Sequence, residues 1–291
     1  MCASAAPPRL DTAYNFSATL VPASAAARLQ AVLDSAMPCE LRLEAHTDYG
    51  TDPANRSQRL PPLRLRSGCQ IYGLPNATLP PLIVPAGTTD MLLHNVLTKT
   101  LRFEPGTGVT TNNSFIRVHG CHVHVLPGAH VEGNHFRDFT QLGYEDATEP
   151  VPESCSKRSH EDCLGGGFLV NATQGGTFQS NRIIRAMVHQ EYPLASLYTD
   201  QRESIQKNVV LWVNLLQTGS GAGLRVVNAS DFTLVAGGIE TYGAGFNQAV
   251  ISLSGVEEAR LFAVGGRIET TAPAANGLYD LGKHFMCMNV P

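Results

Sequence analysis

Residues 182 to 206 hold side chains that could act on an acidic sugar: Arg182, Arg185 and Arg202 as cations, and His189 or Tyr192 as base, with His135 a further base upstream. Eliminative cleavage beside a uronate needs a cation on the carboxylate and a base to remove the α-proton. His189 is the best single base candidate, because an imidazole titrates near neutral pH. Asp200 and Arg202 are candidate substrate contacts in the same stretch. The plainer reading is that these are solvated loop residues making local bonds. Hydrolysis would instead need two carboxylates facing each other across the bond. Asp138, Glu191, Asp200 and Glu203 are available, but no spacing pairs them.

Two other groups carry chemical signals. His122 and His124 alternate on a strand-like run, so both project to one face and could share a divalent ion. No third ligand is fixed by spacing, hydrogen-bonded surface histidines are the plainer account, and no metal site is assigned; a need for calcium stays open. Trp212, Val235 and Phe262 form an outward apolar stripe when their segments are superposed. Trp212 and Phe262 could stack sugar rings. The simpler reading is that the C-terminal stretch from Leu278 to Phe285 packs over the stripe.

The elements that must position these groups are strands. From Lys207 to Thr270 three segments superpose, with alternate apolar positions Val209, Leu211, Val213; Phe232, Leu234, Ala236; and Ala259, Leu261, Ala263. Alternation of period two marks a strand with one buried face. Leu211, Leu234 and Leu261 recur 23 and 27 residues apart, too close for strand–helix–strand units. Short strands recurring every twenty-odd residues, separated by Gly, Asn and Ser turns, indicate a coil stacked on copies of itself. Asn95, Asn181 and Asn214 are expected at one equivalent corner, with Gly237 in the same place one coil later. Two polar stretches, 141–167 and 189–206, break the rhythm and are expected to leave from one side and wall a groove.

Ala23 to Met37 carries the best helical pattern: Ser24 can cap it, Leu29, Val32 and Leu33 form a stripe, and Pro38 stops it. The helical Leu29 to Ala36, a strand-like run ending near Tyr49, and then the run from Pro62 to Leu74 follow in order. This resembles the entrance to a right-handed parallel β-helix of the pectate-lyase-like superfamily, in which such a helix plugs the solenoid end. The resemblance implies an all-β fold, a right-handed parallel β-helix with an N-terminal capping helix. The paired-Asp and Gly-His-Gly patterns of polygalacturonase-like members are absent, so it leaves the activity open. The expected organisation is an N-terminal extension, 1–22, and one β-helix domain, 23–291, with its cap at 23–37.

Composition bounds the rest. A net charge of −4 gives no reason to expect a nucleic-acid partner, and no apolar run is long enough to span a bilayer. Asn15, Asn55, Asn76, Asn112, Asn171 and Asn228 each open an Asn-x-Ser/Thr sequon, which points to a secretory route and surface glycans. Asn, Ser and Thr sharing turns account for the sequons equally well. No signal peptide is visible, so an extracellular or cell-surface chain would be a mature or truncated form. Among seven Cys, Cys155 and Cys163 close a short loop and could pair, while Cys39 and Cys69 could lie on neighbouring rungs. Two function classes therefore stand: a lyase-type enzyme on an acidic polysaccharide, or a non-catalytic glycan-binding or structural β-helix of a cell surface, virion or matrix.

Overall fold

Each strand of the solenoid finds its hydrogen-bond partner in the strand one coil earlier. A computed structural model describes residues 19–35, 39–139, 167–186, 195–218, 224–242, 251–254, 256–263 and 285–289. Three stacks of parallel strands form the sides: one of eleven strands (the long sheet), one of eight and one of four. A typical coil runs Ser114–His119 in the long sheet, His122–Val125 in the eight-stranded sheet and His130–Glu132 in the four-stranded sheet, then returns to His135–Arg137. The chain is a parallel β-solenoid of about seven turns.

The interior is filled by one or two apolar residues from most strands of each coil. Leu93, Phe115, Phe136, Ile183, Val210 and Leu234 line the long sheet's inner face, all at most 2 % exposed. Phe115 and Phe136 stack with centroids 5.2 Å apart, and Phe136 meets Phe168 edge-on at 5.4 Å. These contacts join the coils on either side of residues 140–166, so the core is continuous where the sequence is interrupted.

Two corners are built from left-handed residues. Asn95, Arg117, Asp138, Arg185 and Trp212, with φ between 53° and 57°, occupy one position on successive coils. Next to the other corner lies a buried ladder of Asn113, Asn134, Asn181 and Asn208. Each accepts on Oδ1 the backbone N–H of the residue one coil earlier, at 2.9–3.1 Å. Each Nδ2 donates to a backbone carbonyl, from Thr88 O to Phe178 O. The ladder thereby pairs these turn N–H and carbonyl groups inside the core.

The expected equivalence of Asn95, Asn181 and Asn214 is therefore corrected. Asn95 belongs to the first corner, Asn181 to the ladder, and Asn214 lies in the strand Val209–Thr218, paired with Gly238 rather than Gly237. The expected alternation of Val209, Leu211 and Val213 is corrected too. Val210 and Val213 are buried, and Val210 pairs with Leu234, because left-handed Trp212 resets the period between them.

The cap is a 3₁₀ turn, Ala23–Arg28, running into an α-helix, Leu29–Ser35, that buries Ala26, Leu29 and Leu33. Gln30 binds the last strand of the eight-stranded sheet twice, accepting Arg64 N–H at 2.8 Å and donating to Arg64 O at 3.1 Å. A side-chain amide thus substitutes for the missing next strand at an edge that would otherwise invite pairing. Cys39 and Cys69, in register on adjacent strands, are disulfide-bonded. Residues 51–59 form an antiparallel hairpin of Thr51–Asp52 and Asn55–Arg59.

Residues 195–206 are an ordinary coil rather than part of an excursion: Ala195–Tyr198 joins the eight-stranded sheet and Ile205–Gln206 the four-stranded one. In four coils the described chain leaves after a long-sheet strand and resumes in the eight-stranded sheet, across 140–166, 187–194, 219–223 and 243–250. Phe285–Asn289 pairs parallel with Ala259–Ala263, so Phe285 extends the long sheet as a final coil instead of covering it.

Candidate functional site

Strand alternation aims a second set of residues outward from the long sheet, next to the left-handed corner. Taken coil by coil, these are His94 with Asn95, Ser114 with Arg117, His135 and Arg137 with Asp138, Arg182 with Arg185, and Val209 with Trp212. At the left-handed position the backbone turns, and the side chains there stand on an outer edge. Arg117, Arg185 and Trp212 are exposed, Trp212 to 54 %. Four arginines, three histidines counting His119, and one carboxylate thus share a face on a chain whose overall charge is negative.

Asp138 organises this group. Arg185 grips it side-on, Nε 2.5 Å from Oδ1 and Nη2 2.8 Å from Oδ2, and Arg137 Nε lies 3.3 Å from Oδ2. The side-on grip leaves the far edge of the Arg185 guanidinium for an anion. His135 stands in register with Arg182 one coil away. Partial burial, and then the Arg182 charge, hold His135 below its ordinary imidazole value. His94 and His119 are lowered by burial first and Arg117 second, with Asp138 opposing. All three rings are therefore neutral at pH 7 and able to accept a proton.

Of the residues read from sequence, Arg182 and Arg185 come together here, with Trp212 on the next coil. His189 and Tyr192 lie outside the described residues. Asp200 and Arg202 fall between Tyr198 and Ile205, at the corner joining the eight- and four-stranded sheets, away from Arg185 and Trp212. Phe262 pairs in register with Val235, and Val235 with Leu211, so it is not aligned with Trp212. Arg117 was missed; laying the run at Phe115 to His119 over that at Ile183 to Ala186 places it opposite Arg185.

His122 and His124 project from the eight-stranded sheet, ring centroids 5.8 Å apart. Burial, His122 and Arg102 push His124 down to about 4, and its Nε2 is buried without a hydrogen-bond partner. Among the described residues no group of three ligating side chains could hold a metal ion. Cys155, Cys163 and Asn15 lie outside the described residues. Asn55, Asn76 and Asn112 are exposed, while Asn171 and Asn228 are half-buried. Among the described residues no helix is long and apolar enough to cross a membrane.

A parallel β-solenoid with a cationic, aromatic column along one outer corner is the class of protein that fold and site define. No protein-family model matches the chain, and neither the curated proteins nor the solved structures include a match to it.

Proposed function

We propose that the chain is a secreted, carbohydrate-active β-solenoid of the pectate-lyase-like kind. It holds an acidic polysaccharide along the outer face of the long sheet and cleaves it by elimination. The observation that carries this reading is the register of His135 with Arg182, a neutral base beside a cation on adjoining coils of one exposed face. Arg182 neutralises the uronate carboxylate. His135 takes the C5 proton, the C–H electron pair becomes the C4–C5 double bond, and the C4–O bond breaks. The departing oxygen takes a proton from water. Trp212 gives a neighbouring sugar an apolar surface to stack on. Secretion is supported by the Cys39–Cys69 bridge and by exposed sequons at Asn55, Asn76 and Asn112.

The test is to incubate the protein with a panel of uronate polymers, with and without calcium, and follow absorbance of the unsaturated product. A rise that His135→Ala abolishes while the polymer still binds supports the reading; His189→Ala, run beside it, shows whether that histidine is the base instead. A non-catalytic glycan-binding protein is the second reading. It is favoured by the corner column itself, since Arg185, Arg137 and Trp212 bind a polyanion without needing a base. Polymer retention with no product across the panel selects it.

A further inference from the structure

Net charge along the binding face is not uniform; it alternates by coil. Arg117 gives its coil one positive charge. On the next, Arg137 and Asp138 sum to zero, the carboxylate being held by Arg137 and, from the following coil, by Arg185. Arg182 and Arg185 give the following coil two charges, and the coil of Val209, Leu211 and Trp212 has none. The coil before Arg117, with Leu92, His94 and Asn95, is uncharged as well, because burial keeps His94 neutral. Over these five successive coils, from His94 to Trp212, the order is thus neutral, cationic, neutral, cationic, and then neutral with an aromatic ring.

Adjacent parallel strands stand about 4.8 Å apart, so the two cationic coils are ~10 Å apart along the solenoid axis. One pyranose advances an extended polysaccharide by roughly one such strand spacing, ~5 Å. We propose that this face selects polysaccharides in which an acidic sugar alternates with a neutral one, over polymers with a carboxylate on every sugar. The proposal rests on the acidic-polysaccharide reading above and adds the repeat that the ligand must have. An acidic sugar sits at Arg117 and another at Arg182 and Arg185. The intervening neutral sugar lies over Arg137 and Asp138, where an extra carboxylate would meet the Asp138 charge. The next neutral sugar stacks on Trp212, whose ring cannot pair an anion.

The experiment compares hyaluronan, an alternating uronate–N-acetylhexosamine polymer, with polygalacturonate of equal chain length, by calorimetry on the full chain. Wild type is expected to bind hyaluronan about tenfold more tightly. Asp138→Asn makes the middle coil cationic and should bring that ratio close to one, chiefly by tightening polygalacturonate. Arg117→Gln should weaken hyaluronan more than polygalacturonate. Equal or tighter binding of polygalacturonate by wild type overturns the alternation and leaves the acidic-polysaccharide reading standing. A ratio unmoved in folded Asp138→Asn also overturns it. Binding of neither polymer overturns both.

Discussion

The backbone N–H of Asn134 donates to Oδ1 of Asn181 at 2.9 Å, although 47 residues separate the two in sequence. The bond spans residues 140–166 and keeps the buried ladder unbroken across the longest interruption in the coil. Asn181→Ala would strip the Asn134 N–H of its acceptor inside the core and remove the side-chain donor to Val131 O. A buried N–H left unpaired should lower stability by about 1–3 kcal/mol, read as a shifted denaturant midpoint at constant slope. A loss below about 0.5 kcal/mol would mean that the ladder does not hold the coils together.

Cys39 and Cys69 close a loop of 30 residues between the end of the cap and the first full coil. Replacing both by Ser should cost about 3–4 kcal/mol on the loop-entropy account. Peptide mapping of the unreduced protein should recover the two cysteines joined. Ready alkylation of Cys69 without reductant would contradict the pairing.

His124 sets a pH dependence whose sign follows from its lowered value. The unfolded chain takes up this proton near 6.5, whereas the folded chain withholds it until about 4. The contribution is therefore complete above pH 6.5 and is lost as pH falls toward 4, by about 3 kcal/mol in total. Leu169 occupies the same outward position one coil later, so His124→Leu should fold and flatten that slope. An unchanged slope in the variant would place the acid sensitivity elsewhere.

Trp212→Gly separates binding from folding at the corner. Glycine relieves the left-handed strain of a bulky residue but loses more entropy on folding, and these oppose each other within about 1 kcal/mol. Stability should hardly move, while affinity for an acidic polysaccharide should drop about fivefold, near 1 kcal/mol of lost stacking. Retained affinity in both Trp212→Gly and Trp212→Ala would remove Trp212 from the site.

Much of the fold is legible in the chain because its signal is local and repeats. Period-two alternation and the return of an apolar residue every twenty-odd positions are enough to specify stacked parallel strands, and the stripe of Leu29 and Leu33 ahead of the first coil is enough to specify a helix with one buried face. The site is only partly legible. Arg182, Arg185, Trp212 and the alternative base His135 can be picked out as chemistry, but Asp200 and Arg202 share their neighbourhood in sequence and not in space.

The chain by itself determined that strands would form, which way most of their side chains face, and that cation, imidazole and indole groups would be present. Only the tertiary structure decided the register. A single left-handed residue inside a strand-like run, Trp212 or Arg117, shifts the alternation by one position, and nothing local announces it, since Arg and Trp are unexpected at positive φ. What holds them there is the coil above and below: Arg185 N–H donates to Leu211 O, and Asp138 N–H to Ile184 O, each on the next coil. Those bonds come from residues tens of positions away, which is why the cationic column along this corner exists only once the chain has wound.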